Sequence, residues 1–426
     1  MFNYHQYNQW MAAKHSHKTD LHPTASVDWI DKRSERYVHA LLLAFLIPLT
    51  LIGIYFMAAT WPGEKSGVDS GSLGYVNDSK FYSAEVTQIT KFDCIANGAT
   101  QLTDGTFSQS KCGKIAAKIS NEDLVGEVIT FDVEPIILKS GLSIGDKVSV
   151  LAIPTDTGNQ YVFNDFERTN GILIILGIFL VVIFIITGFG GLRAILGLST
   201  TFGLLIYYLI PTLLAGANVI SSIAILLSAT VAFVLYFVHG FSLKTGAAIL
   251  GTLSGTVLAG FGAYFATNLL KLTGITDDED LVLDAIASNV KLGDLLIASI
   301  IIASLGALND VTVTQSSAVW ELAQSQERTN RRSLFVNGMK VGRDHIASSI
   351  YTIAFAYVGS ALVTLMLVTS AGAPFDRMIN DELIAQEIVL ILIGSIALAI
   401  STPITTGIAA VFASSIRTKE DLNSVS

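Results

Sequence analysis

Eight stretches of this chain stay apolar for about twenty residues or more, longer than a folded soluble core requires and long enough to span a hydrocarbon layer about 30 Å thick. They run roughly over residues 39–59, 170–189, 192–214, 218–238, 245–269, 295–320, 346–370 and 387–413. Composition agrees. Of 426 residues, 51% are apolar and only 14% are charged, against about 25% charged in an average soluble domain. That excludes a disordered chain and argues against an ordinary cytosolic enzyme. A net charge of −9 and a pI of 5.2 exclude a globally basic nucleic-acid binder. With two cysteines, a disulfide-dense scaffold, a cysteine-rich zinc site and a cysteine-ligated cluster are excluded too.

The expected class is an α-helical polytopic membrane protein of about eight transmembrane helices, with a small extracytoplasmic all-β domain inserted after the first. The basic residues set the orientation. Lys14, Lys18, Lys32, Arg33 and Arg36 precede the first span, and Arg328, Arg331, Arg332, Lys340 and Arg343 follow the sixth. Arg193, Lys244, Arg417 and Lys419 fall on the same side, whereas the opposite short loops hold only Lys271, Lys291 and Arg377. Short loops rich in Lys and Arg stay cytoplasmic, so both termini are expected inside. The organisation is then a disordered cytoplasmic arm at 1–38, a first helix at 39–59, an extracytoplasmic β-rich domain at 60–168, a seven-helix domain at 169–415 and a cytoplasmic tail at 416–426. The 38 polar residues before the first span make it an anchor rather than a cleavable signal peptide.

Within the insert, a Gly- and Ser-rich stretch over 62–75 leads to strand-like runs beginning at Phe81, Lys114, Glu127, Lys147 and Gln160. Alternation and turn punctuation such as Gly145-Asp146 favour a small antiparallel barrel or sandwich. Cys94 and Cys112 both fall here. Outside the cytoplasm a lone pair is most simply a disulfide. The insert contains no His, so a binding or assembly module fits it better than a hydrolase.

The sixth span carries the most chemistry. Asp310 sits near its middle, where a carboxylate is costly and normally faces the bundle interior or a wet cavity. At 100° per residue Asp310, Thr314, Ser317 and Glu321 line one stripe, with Asn309 and Gln315 flanking it. Hard oxygen ligands in that pattern suit a proton or a hard cation; a stripe of hydroxyls that only glues helices together is the plainer alternative. The eighth span offers Ser401, Thr402, Pro403, Thr405 and Thr406. Pro403 removes a backbone donor and could mark a broken helix of the kind found at transporter sites. His345 opens the seventh span on one face with Ser349 and Thr352. In the fifth, Gly251 and Gly255 form a G-x-x-x-G that reads as close helix packing. His15 and His17 could hold a borderline metal weakly, though the arm reads first as plain solvated chain. No nucleotide, dinucleotide, zinc-protease or serine-hydrolase motif appears, so no cofactor and no enzymatic activity are expected.

The run Gly306-Ala-Leu-Asn-Asp310-Val-Thr-Val-Thr-Gln315-Ser-Ser-Ala-Val-Trp-Glu321-Leu resembles the YibE/YibF-like family of bacterial multi-pass membrane proteins, in its actinobacterial-type branch. The stretch Gly342-Arg343-Asp344-His345-Ile-Ala-Ser, and Gly191-Leu192-Arg193-Ala194 leading to Pro211 and Gly216, resemble it as well. The resemblance spans most of 37–415 and is weakest in the insert. It implies the topology and draws attention to Asp310, and it brings no substrate. Two functions compete. One is a secondary transporter or permease of the bacterial plasma membrane, with Asp310 binding a proton or cation. The other is a non-transporting scaffold or sensor whose outer β-domain binds an envelope partner. In both, the lipid bilayer is the constant partner.

Overall fold

A computed structural model of the chain describes residues 32–62, 80–95, 109–120, 124–155, 158–287, 289–325 and 330–415. His15, His17, the Gly- and Ser-rich stretch after Pro62 and the C-terminal tail lie outside the described residues. The chain forms two compact units. One comprises Met1–Trp61, Asn218–Thr276 and Lys291–Ser426; the other comprises Pro62–Ala217 and Asp277–Val290.

The second unit contains the β-domain. Five strands, β1 (Lys80–Ile95), β2 (Gln109–Ile119), β3 (Val128–Val133), β4 (Lys147–Thr155) and β5 (Gly158–Phe166), pair antiparallel in the order β3-β2-β1-β4-β5. Strands β3 and β5 also lie against each other, so the sheet curls into a half-open barrel. A short helix, α2 (Pro135–Lys139), follows β3. This order and helix position are those of a partly open five-stranded barrel of the OB type. Period-two alternation builds its core. In β3, Ile129, Phe131 and Val133 are buried while Val128, Thr130 and Asp132 are exposed. Tyr82, Ala84 and Val86 of β1, Ile115, Ala117 and Ile119 of β2, and Val148, Val150 and Ala152 of β4 complete it. A register shift between Val86 and Gln88 bulges β1 and helps the sheet bend. Gly145 turns the chain into β4 at φ +95, a conformation side chains rarely adopt. At the end of β5, the Arg168 guanidinium and the Phe166 N–H hold the Asp165 carboxyl below its ordinary range.

Three helices follow in this unit. Helix α3 (Thr169–Thr187) is apolar on every side and buries none of its residues. Helix α4 (Phe189–Leu204) passes through a π-helical turn at Leu205–Leu209 into α5 (Ile210–Leu214), whose second residue is Pro211. The acidic segment between the fifth and sixth apolar stretches contributes α8 (Asp278–Ile286), where Asp277 and Asp280 form a reciprocal capping box.

Among the described residues the first unit consists of helices and their connections: α1 (Lys32–Ala59), α6 (Val219–His239), α7 (Leu243–Leu270), α9 (Leu292–Gln324), α10 (Arg331–Ser360), α11 (Leu362–Ser370), α12 (Phe375–Ile379) and α13 (Glu382–Ser415). Helices α7, α9 and α13 pack as a core trio, α10 lies along α13 and α9, and α1 lies along α6. Contacts such as Gly251 with Thr405 and Gly262 with Ile393 set α7 antiparallel to α13, while Ser304 beside Gly394 and Gln315 bonded to Thr406 set α9 parallel to it. Gly53 brings α1 onto the backbone of Ala229 in α6, where an added Cβ would sit 2.7 Å from its nitrogen.

Seven helices among the described residues are long and apolar enough to cross a membrane; the bent pair α10–α11 would make an eighth. Two expectations change. The seventh span is not one helix over 346–370. Helix α10 starts at Arg331, inside the expected basic loop, because Asn330 caps it and the polar residues lie on its exposed side. The helix then breaks at Ala361 with a bend of 59°. Pro403 does not break its helix, which runs on from Glu382 to Ser415. The hydroxyls of Ser401 and Thr402 both donate to Leu398 O, and a proline is tolerated in an apolar helix packed among neighbouring helices.

Cys94 and Cys112 are joined by a disulfide with Cα atoms 5.8 Å apart, tying the ends of β1 and β2 across a sequence separation of 18. Closing a loop of that size is worth about 3 kcal/mol. Replacing both cysteines by serine in the full-length protein should therefore destabilise the β-domain by about 2–4 kcal/mol. Urea titration followed by limited proteolysis would show cleavage of the insert at lower urea. An unchanged midpoint would mean the bridge adds nothing beyond the sheet.

Candidate functional site

The polar residues of α9 divide between two faces. On the packed face Thr312, Gln315 and Ser316 are fully buried. The Gln315 side-chain amide donates from Nε2 to Gly338 O at 2.9 Å and to Thr406 Oγ1 at 2.7 Å. A carbonyl only accepts, so the atom facing Gly338 must be the nitrogen. The other amide atom, Oε1, is buried with no partner. Two glycines of α10 make room for this side chain. An added Cβ on Gly342 would lie 3.1 Å from both amide atoms and 2.9 Å from Thr402 Cγ2, and one on Gly338 would lie 2.8 Å from Val319 Cγ2.

Around it runs a seam of hydroxyls between α7, α9 and α13. Thr252 and Thr312 bond to each other at 2.7 Å, and Ser316 donates to Lys244 O at 2.6 Å. On α13, Ser401, Thr402, Thr405 and Thr406 are fully buried, and each donates to a carbonyl of its own helix at 2.7–2.9 Å. Each hydroxyl has one hydrogen and two lone pairs. With the hydrogens turned back on the helix, the seam faces inward almost wholly with acceptors. Its chemistry matches a hard cation, a proton or a water rather than an anion. Ser395 Oγ of α13 and Asn309 Oδ1 of α9 are further buried atoms without partners. Native interiors leave few such atoms, and each calls for an explanation.

The stripe Asp310, Thr314, Ser317 and Glu321 lies elsewhere. Asp310 and Glu321 are exposed, and Thr314 and Ser317 are partly covered. Five residues of helix place Gln315 about 140° from Asp310, so these two are not neighbours on one path. His345 is half-buried on α10, beyond Gly342, and Pro403 lies within the seam's turn of α13. No three His, Cys, Asp or Glu side chains converge as metal ligands among the described residues. Sequence reading missed Thr252, Gly338 and the carboxylate Glu387. The last was placed at the start of a span, whereas α13 begins five residues earlier.

Fold and site together are those expected of a membrane protein: apolar helices long enough to cross a bilayer with a polar seam among them, and a separate β half-barrel after the first helix. Residues 175–415 match the YibE/F-like protein family. That is more than half of the chain, and the chain belongs to this family. The match begins inside α3 and takes in Asp310, Gln315, Gly342, Glu387 and Pro403, leaving α1 and the β-domain outside. No curated protein and no solved structure matches the chain.

The tight fit of Gln315 gives a stability test within one helix. Gly342→Ala forces a methyl group against the amide and Thr402, and should cost about 1–3 kcal/mol. Gly359→Ala, whose Cβ meets nothing within 4 Å, should not lower stability, since alanine favours a helix over glycine. Thermal unfolding in detergent compares the two; equal effects would mean the seam can yield around the amide.

Proposed function

We propose that this chain is a secondary transporter or permease of the bacterial plasma membrane, with Asp310 as its proton or cation site. The observation that carries the reading is Asp310 itself. It lies midway along a 33-residue helix, exposed on a face of the helical unit. A carboxylate at such depth is costly in lipid. It belongs where water or a ligand reaches it, which is the requirement of a translocation path. Thr314, Ser317 and Glu321 continue the same face toward the end of α9, and Asn309 adds an amide oxygen beside the carboxylate. The acceptor-lined seam behind them gives the helices a polar interior on which to rearrange. In this reading both termini are cytoplasmic, residues 60–168 are extracytoplasmic and the chain is a carrier rather than an enzyme.

A second reading is favoured by the β-domain, whose own core and disulfide give it the means to stand as a binding module. There the outer domain would engage an envelope component and the helices would anchor and relay. Deleting 76–165 would then abolish function while Asp310→Asn stayed mild; the transporter reading expects the opposite.

Thermal unfolding of the full-length protein in detergent, wild type beside Asp310→Asn, tests the first reading across a series of pH values and Na⁺, K⁺, Mg²⁺, Mn²⁺ and Zn²⁺. A ligand at about a hundred times its dissociation constant stabilises the folded state by about 2.7 kcal/mol. The expected result is a stabilisation by pH or by one cation in wild type that the variant lacks. Identical responses would remove Asp310 from the site.

A further inference from the structure

Because α13 begins at Glu382, Glu387 lies inside an apolar helix. It faces the break between α10 and α11. Ser360, the last residue of α10, places its Oγ 2.8 Å from Tyr357 O and 3.2 Å from Glu387 Oε1. A hydroxyl has a single hydrogen, and here two acceptors compete for it. Given to the nearer carbonyl, it leaves Glu387 Oε1 facing a lone pair. The other carboxyl oxygen, Oε2, is buried without a partner. The site also lies at the C-terminal end of a 30-residue helix, the negative end of its dipole, where an anion is repelled. An ionised Glu387 would therefore meet three conflicts at once.

One proton removes the competition and the repulsion, and it lowers the cost of the orphan oxygen because a neutral acid is far cheaper to bury than an anion. The protonated carboxyl donates to Ser360 Oγ, and Ser360 donates to Tyr357 O. We propose that Glu387 is a proton-binding site whose acid form ties α13 to the break at Ala361 through Ser360. When the proton leaves to water, the tie is lost and a negative charge stands against the carbonyl end of α10, which loosens α11. Other ionisable groups at this end lie on α7, α9, α10, α12 and the start of α13, where Asp381 accepts from the Ile384 N–H. Tyr357 lies within electrostatic reach on α10. Glu382 is already engaged by the backbone N–H groups of Thr273 and Gly274 and by Gln386. Asp376 and Arg377 of α12 and Lys271 after α7 are exposed, and Asp294 of α9 is half-buried. The proposal does not depend on the role given to Asp310.

Infrared difference spectroscopy on the full-length protein in lipid nanodiscs tests it, stepped from about pH 4 to about pH 9, a range that covers ordinary and documented buried glutamates. Wild type should show a protonated-carboxyl C=O band that titrates in this range and is missing in Glu387→Gln, which keeps the neutral shape and cannot ionise. Amide hydrogen exchange in α11, corrected for the intrinsic chemical rate, should rise about tenfold per pH unit above the titration midpoint in wild type. In Glu387→Gln it should stay at the acid-side level throughout. A band that survives in Glu387→Gln, or exchange in wild type that does not follow pH, overturns the proposal. If Glu387→Gln does not fold, Ser360→Ala reads the same contact. It removes the acceptor and should move the C=O band to the higher frequency of a free acid, and an unmoved band overturns the proposal equally.

Discussion

The close approach of α7 to α9 and α13 is the constraint on which the helical unit depends. Gly251 seats Thr405 against its backbone, and Gly255 fits between Leu308 of α9 and Ser401 of α13. Among lipid tails, helices gain little by hiding apolar surface from one another, so contact distance and interhelical hydrogen bonds decide which pairs form. A side chain on either glycine would push the trio apart. The same approach closes the hydroxyl seam: Thr252, Thr312, Thr405 and Thr406 can be fully buried because no larger residue holds the helices open. Gln315 is then held by close packing as well as by its two bonds, since it lies against the bare backbone of Gly338 and Gly342.

Burial on these terms separates the polar groups by kind. Hydroxyls are accommodated in the seam because each can return its hydrogen to its own helix. A carboxylate has no hydrogen to return and needs donors, which the seam lacks apart from the amide of Gln315. Asp310 and Glu321 accordingly lie on the uncovered side of α9, where water, a ligand or another surface can meet them. Glu387 is intermediate, with one oxygen on Ser360 and the other enclosed.

Much of this was legible in the sequence, for physical reasons that also mark its limits. Apolar run length located most of the spans, and period-two alternation located the five strands, because burial alone dictates both patterns. The glycine pair in α7 could be read because small residues four apart have few other uses. Helix α10 could not. Its first half carries Arg331, Arg332, Lys340 and Arg343, and a hydropathy window sees charge where the structure has a helix with one covered face. Pro403 is the obvious candidate for a break, yet α13 runs through it. The break falls at Ala361, just after Gly359-Ser360, and such Gly/Ser pairs are a recognised cause of sharp kinks. That signal was present and weaker than the proline. The sorting of Gln315 from Asp310 onto different faces follows from helix periodicity. Which face would be covered depends on partners that α9 meets far along the chain.

The two span carboxylates, Asp310 and Glu387, stand at different levels as well as on different helices. Since α9 and α13 run parallel, with Ser304 beside Gly394 and Gln315 beside Thr406, Asp310 is level with about residue 400 of α13. Glu387 is then about 20 Å away along the bundle at 1.5 Å per residue. No single small ion could touch both. What joins the two levels is α10, whose far end meets Glu387 through Ser360 and whose near half holds Gln315 through Gly338 and Gly342. It is helical without interruption between those contacts. Helix shifts of an ångström or two are an established form of switching, and a shift of α10 along its axis would change both contacts together. Coupling between the ends of this bundle therefore needs no relay of side chains; one helix that touches both is sufficient.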